Sequence, residues 1–292
     1  MPGIMDIVLP TFLVILVGYF LGKKTKFQMA TVVDLTLYLG SPAIAFVSLL
    51  NRKIVLIDAA KMWAAAVVIM AGCGIAAWII FTLLRQNHSG LYVSIAMMNT
   101  MNIPFPLVYL AYGAEGLLAA TLFYIPNSLA INSVGIYVMA GKHWRESIKE
   151  VFKLPVIYAA ILGLMFNFLN VQVPDAVMRS INMLALMTLP LILLILGYNL
   201  ASVHLTSLPT TLLASFLRMG VGLALGLLMV DLLHITGIFR SVLILDAAMP
   251  AAANSSLLAS KFNNEAELVS SVVFCTTLAS IGVIPLLLHL LA

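Results

Sequence analysis

Charge is scarce in this chain. Asp, Glu, Lys and Arg supply 9% of its 292 residues, against about 25% in soluble globular domains. A soluble fold of this size must cover its outside with polar groups, and here there are too few. The fifteen Lys and Arg lie mostly in short stretches between apolar runs. They form no basic face or stripe, so no nucleic-acid partner is expected. Cysteine is also sparse: Cys73 and Cys275 both sit inside apolar runs, where thiols fill space rather than build a disulfide framework or a metal site. The five histidines are scattered, mostly near the ends of apolar runs, and suggest no metal site. No His-Glu-x-x-His motif, carboxylate-rich motif or other catalytic constellation is present, so no enzyme activity and no organic cofactor are expected. Gly18-Tyr19-Phe20-Leu21-Gly22-Lys23-Lys24-Thr25 superficially resembles a phosphate-binding loop. Its glycines are one residue too close and an extra Lys precedes the Thr, which argues against ATP-driven pumping. No detachable leader is expected either: the first apolar run, 4–21, is long enough to span and has no small-residue cleavage site.

What is abundant is apolar sequence. Hydrophobic residues make up 63% of the chain, and a bilayer removes the limit that water sets on such a composition. At about 20 apolar residues per span, ten candidates emerge: 4–21, 31–50, 61–84, 91–111, 117–140, 154–169, 177–200, 209–233, 238–261 and 268–291. The sixth is short, and the fourth and ninth carry polar interruptions. The expected fold is all-α and membrane-embedded, with ten transmembrane helices and no soluble appendage. Lys and Arg set the orientation. With the N-terminus outside, the cytoplasmic loops hold Lys23, Lys24, Lys26, Arg85, Lys142, Arg145, Lys149, Lys153 and Lys261. The other side holds Arg52, Lys53, Lys61, Arg179 and Arg240. Nine against five places both termini outside.

The chain also repeats. Pro42 and Pro190 are 148 residues apart, Pro104 and Pro250 are 146 apart, and the list of spans shifts by a similar amount. Residues 1–140 then form one five-helix repeat, 141–153 a cytoplasmic linker and 154–292 a second repeat. Because five is odd, the second repeat enters the membrane from the opposite side, the inverted arrangement of many secondary transporters.

The chemistry is expected where the fourth and ninth spans are interrupted. In Asn99-Thr100-Met101-Asn102-Ile103-Pro104-Phe105-Pro106 two prolines remove two backbone donors, and a continuous helix is not expected. Ile103 and Phe105, each preceding a proline, are expected to be extended. Asp246-Ala247-Ala248-Met249-Pro250 leads to Asn254, Ser255 and Ser256 in the ninth span, with Pro250 expected at the place equivalent to Pro104. Paired broken helices point to a transport site. Each half-helix start is expected to offer free N–H groups and a positive dipole to an anion. The alternative is ordinary kinks with small residues for close packing. The candidate substrate residues are Asn99, Asn102, Pro104, Pro106, Pro250, Asn254 and Ser255.

Charges within spans are few. Asp246, one turn before Pro250, and Asp34 are candidates for coupling to a proton or a sodium ion. For Asp246 the alternative is a helix cap beside Arg240. Arg218 is expected to pair structurally with an acid such as Asp34 or Asp231, the alternative being attraction of an anionic substrate, and Asp58 is expected to pair with Lys61. Asn127 and Asn132 are expected to bond between helices, and the pairs Gly18/Gly22 and Gly222/Gly226 to permit close helix contact.

These residues together carry a family resemblance. Leu9-Pro10 with Gly18-Tyr19, Ser41-Pro42-Ala43 with Phe46, and the stretch Asn99 to Pro106 come first. Leu189-Pro190-Leu191 leading to Gly197, Ala247 to Ala251 with Asn254, and Thr276 to Ser280 before Pro285 follow in order. The chain resembles the bacterial members of the auxin efflux carrier family. The resemblance implies two inverted five-helix repeats with the fourth and ninth helices crossing at mid-membrane, as in the sodium/bile acid symporters. It further implies a scaffold and a moving domain, a homodimer in the bacterial inner membrane, and transport of organic anions such as auxin, malate or malonate. It places substrate carboxylate at Asn102 (or Asn99) and Asn254. The long cytoplasmic loop of plant members is missing, and with it any ground for phospho-regulation. A passive anion channel or a ligand sensor on the same fold is the competing reading.

Overall fold

The computed structural model describes residues 3–50, 54–141 and 149–291. Most of the expected linker 141–153, together with Arg52, Lys53, Lys142 and Arg145, lies outside the described residues. Among those described there is no strand, only an isolated antiparallel bridge between Met98 and Ala251.

Helix α1 (Ile4–Lys24) starts where Asp6 accepts the Gly3 N–H at 3.1 Å, and ends in Lys23 and Lys24. The acid at the start and the bases at the end both suit the helix dipole. Helix α2 (Met29–Leu50) widens to a π-helical turn at Thr36–Gly40, just before Pro42. Proline cannot continue the ladder, and the Ser41 hydroxyl donates to the Thr36 and Leu37 carbonyls at 3.0 and 3.1 Å. Helix α3 (Leu56–Leu83) starts five residues earlier than the sequence suggested. Asp58 and Lys61 both fall near its start, but no ion pair joins them among the described residues.

Helix α4 (Ser89–Ala96) stops at eight residues, and the chain runs unwound until α5 (Pro104–Ala140). At Gly113 (φ 63°, ψ −147°) α5 turns sharply, in a region of backbone space that only glycine occupies freely. The expected fourth and fifth spans are therefore joined by one glycine rather than a loop. Helix α6 (Pro155–Phe168) has 14 residues, about 21 Å at 1.5 Å per residue. Helix α7 (Asp175–Leu200) contains Pro190, and α8 (Leu208–Leu232) carries a π-helical turn at Leu217–Val221. Helices α9 (Gly237–Ala247) and α10 (Ala253–Phe262) flank the second unwound segment, and α11 (Ala266–Leu291) closes the chain.

Seven helices, α1, α2, α3, α5, α7, α8 and α11, are individually long and apolar enough to cross a membrane. Large apolar side chains such as Leu13, Val17, Trp78 and Leu228 stand exposed on their outer faces, as lipid contact requires.

Two packing groups result. Helix α1 lies along α7, α2 along α6, and α7 against α2. The remaining helices pack on one another, with α5 against α3 and α9, α8 against α3 and α9, and α11 against α8 and α10. The α1–α7 contact is backbone to backbone. A Cβ at Gly18 would lie 2.9 Å from Leu194 Cα, one at Gly22 2.6 Å from Ala201 Cβ, and one at Gly197 2.8 Å from the Tyr19 nitrogen. The stretch with the look of a phosphate loop is thus the packing face of a helix.

Candidate functional site

The two unwound segments meet. The Asn99 N–H donates to the Pro250 carbonyl at 2.8 Å, and the Ala252 N–H donates to the Met97 carbonyl at 3.0 Å. These two bonds form the Met98–Ala251 bridge and satisfy backbone groups that apolar surroundings would leave stranded. Each segment is also held by a neighbouring helix. From α5, Asn127 accepts the Met98 N–H at 3.3 Å through Oδ1. Its Nδ2 donates to the Met98 carbonyl and the Thr100 hydroxyl, both at 2.9 Å. From α11, the Thr276 hydroxyl accepts the Ala251 N–H at 3.2 Å. Within the first segment Asn99 Oδ1 accepts the Asn102 N–H at 2.9 Å, the local turn an asparagine side chain favours.

The breaks differ from expectation in register. Pro104 is the first residue of α5, with Pro106 in the same turn, whereas Pro250 lies within the unwound segment, three residues before α10. Ile103 is helical (φ −91°, ψ −47°) and Phe105 lies inside α5, so neither is extended as expected. Both prolines sit where a helix has no use for their missing N–H, and the Phe105 and Leu107 N–H groups reach back to Met101 and Ile103. The start of α5 therefore offers a dipole but no free donor in its first four positions. At the start of α10, by contrast, the Ala253 and Asn254 N–H groups have no hydrogen-bond partner among the described residues.

A cavity of ≈ 240 Å³ opens beside this junction. Asn99, Asn102 and Asn254 line it, as the sequence suggested, together with Thr100, Asn127, Asn132, Ser41, Tyr124, Asn199 and Lys261. The Asn99 amide nitrogen is buried and unpartnered, and Asn254 is exposed to the space. The other candidates, Pro104, Pro106, Pro250 and Ser255, are buried behind this lining. Ser255 instead donates to the Ala252 carbonyl at 2.6 Å, within the first turn of α10. Asn132 bonds within its own helix, to the Ser128 carbonyl at 2.9 Å, rather than between helices. Among the described residues no Asp or Glu lines the cavity.

The acids lie elsewhere. Asp34 is exposed on α2 and Asp246 is fully buried near the end of α9, and neither lines the cavity. A helix-start cap for Asp246 is ruled out by that position. Arg218 also departs from expectation. It pairs with neither Asp34 nor Asp231, both exposed. Its guanidinium is fully buried at the breaks, donating to the Ile95, Ala96 and Ala247 carbonyls. Asn199 is thus the residue that sequence reasoning passed over, while Lys261 was placed only as a loop cation and Arg218 was given other partners. A lone polar group in an apolar run was the available signal for Asn199 and Arg218, whereas Lys261 reads equally well as a loop cation.

The sequence pattern of the family described as "Membrane transport protein" matches residues 3–153 and 139–288, nearly the whole chain. An uncharacterized transporter of Methanocaldococcus jannaschii is 27% identical over 97% of both chains. Another from Methanothermobacter thermautotrophicus is 29% identical over 68% of this chain and 66% of its own length. The uncharacterized transporter YfdV of Escherichia coli is 24% identical over 87% of both. The chain belongs to this membrane transport protein family, the auxin efflux carriers, and is a multi-pass membrane protein of a transporter family rather than an enzyme.

Proposed function

We propose that the chain is a secondary transporter that moves a small organic anion by alternating access. The substrate class is a carboxylate or dicarboxylate such as malate or malonate, or an auxin-like acid. The observation that carries this reading is the cavity lining, in which asparagine amides, hydroxyls and the Lys261 ammonium meet with no carboxylate among the described residues. Amide N–H groups and an ammonium donate to a carboxylate, and the free N–H groups at the start of α10 add the positive end of a helix dipole. At ≈ 240 Å³ the space falls below the roughly 300–1,000 Å³ of drug-sized sites, which favours a small substrate. In this reading Asn99, Asn102 and Asn254 contact the anion, while Pro104, Pro106, Pro250 and Ser255 shape the breaks that present them.

The seven long helices extend to ten spans when α6 is counted as the sixth, α4 with the first arm of α5 as the fourth, and α9 with α10 as the ninth. Residues 1–140 and 154–292 then form inverted repeats joined by 141–153, and the junction is the crossing of the fourth and ninth spans. The group α1, α2, α6 and α7 serves as the scaffold, and as the face through which two copies pair in a bacterial inner membrane. With both termini outside, the cavity rim at Leu154, Asn199 and Lys261 faces the cytoplasm, an inward-open state.

The test is radiolabelled malate uptake into proteoliposomes with and without unlabelled malate inside. Uptake that saturates and accelerates with internal malate is expected of a carrier. Flux that rises linearly without counterflow would mark a channel. Binding with no flux of any tested mono- or dicarboxylate would mark a sensor.

A further inference from the structure

We propose that the Arg218 guanidinium is a resident cation. It fills the position at the helix junction that an exchangeable coupling ion would otherwise occupy, and makes the junction independent of sodium. The last four C=O groups of a helix lack partners within it, and its C-terminus carries about half a negative charge. Two such ends, those of α4 and α9, come together in buried surroundings. Half-helix C-termini and unwound carbonyls are the groups with which broken membrane helices hold Na⁺ or H⁺. Here they hold a side chain. One Arg218 terminal nitrogen donates to the Ile95 and Ala96 carbonyls at 3.0 and 3.2 Å, and the other donates to the Ala247 carbonyl at 2.9 Å. The planar fork of donors suits arginine to bridging separate acceptors.

Three further observations fit a built site rather than a chance contact. Arg218 is 0% exposed, and such a charge in a membrane span is retained where it has a task. It stands on the π-helical turn of α8, a local widening frequent at functional sites. Gly222, one turn on, leaves the room for it: a Cβ there would collide with the Arg218 terminal nitrogen and the Ala247 oxygen. Asp246 directly precedes Ala247, is 0% exposed, and neither carboxyl oxygen has a hydrogen-bond partner among the described residues. Three carbonyls from two helix ends form an oxygen set that a hard cation would take, already served by a tethered charge. Arg218 is thus a positioning residue that ties the two half-helices together without touching substrate.

The experiment measures melting of the purified protein in nanodiscs, at fixed ionic strength, with choline exchanged for sodium. It is repeated for Arg218→Ala with methylguanidinium added. The wild type is expected to melt at the same temperature in either salt. Arg218→Ala is expected to melt lower and to regain about 4 °C or more with saturable methylguanidinium, while the wild type gains nothing. Saturable stabilisation of the wild type by sodium overturns the proposal, and so does an Arg218→Ala protein indifferent to methylguanidinium. If Arg218→Ala is not recovered folded, Arg218→Lys and Arg218→Met replace it. The proposal requires more folded protein from the cationic variant, and equal yields refute it. The inference takes its setting from the transporter reading, but no readout here needs a transported substrate, so failure of malate uptake leaves it standing.

Discussion

Replacing Asn127 by Ala tests whether the first break is held from outside or merely left by its prolines. Asn127 is buried and makes three hydrogen bonds to the unwound segment, two of them to the backbone of Met98. Truncation leaves the Met98 N–H, the Met98 carbonyl and the Thr100 hydroxyl without these partners. Each orphaned buried group costs about 1–3 kcal/mol. Two effects lower the sum. The cavity adjoins both residues, so water can reach some of these groups. Interhelical bonds in membrane proteins also average only about 0.6 kcal/mol, because the unfolded chain finds other partners. A net loss of about 2 kcal/mol is therefore expected for Asn127→Ala. Thr100→Val, which removes only the third bond, should lose less than about 1 kcal/mol. Reversible unfolding by SDS titration in mixed micelles measures both. An Asn127→Ala protein within about 0.5 kcal/mol of wild type, the usual scatter of surface changes, would refute the clamp and leave the prolines as sufficient cause of the break.

Asn102→Ala and Asn254→Ala should each weaken substrate binding by about 1–3 kcal/mol, with folding unchanged; wild-type affinity in both would remove the asparagines from the site. Lys261→Gln should raise KM for an anion about fivefold, the effect of losing about 1 kcal/mol of partly exposed charge attraction, and should flatten its salt dependence. An unchanged KM would place the ammonium outside the substrate's reach. Gly197→Ala should destabilise by about 3 kcal/mol, the upper end for overpacking, because backbone lies in the path of the new Cβ, whereas Gly282→Ala meets nothing within 4 Å and serves as control. Equal stability of the two glycine variants would refute close backbone contact between α1 and α7 at Gly197.

Much of this molecule could be read before its coordinates were known, and the failures share a cause. Apolar run length found the long helices, and the clustering of Asn, Pro and small residues found both breaks. The glycine pairs indicated real close contacts: Gly18 and Gly22 meet α7, and Gly222 and Gly226 meet Ala247. What failed were statements about partners. Arg218 was assigned to an acid because charges pair with charges, yet it bonds carbonyls that are exposed only because two helices distant in sequence end at the same place. That convergence is a tertiary fact with no local signature. The proline register failed for a related reason. A seven-residue break at 97–103 and a five-residue break at 248–252 put Pro104 at the start of a helix and Pro250 inside an unwound segment. Spacing along the chain marks where each helix stops, not which backbone donor is removed. Lys261 was read as a loop charge, although α10 carries it to the cavity rim.

The two kinds of helix contact bear on what can move. Where α1 meets α7, glycines bring the two helices to close approach, and at those points there is little room for side chains to re-pack and accommodate sliding. The unwound segments, in contrast, are joined by directed hydrogen bonds to each other and to Asn127 and Thr276. They travel together or not at all, because separating them would strand several buried groups at once. Displacement is therefore cheapest between the two packing groups, where side chains of α1, α2 and α7 meet those of α5 and α11. The cavity lies on that seam: Ser41, Ile192 and Asn199 come from one group, and Asn102, Asn127 and Asn254 from the other. In the proposed alternating-access reading, a substrate bound there would touch both groups, and sliding along the seam would change which end of the cavity is open while the junction itself stays intact.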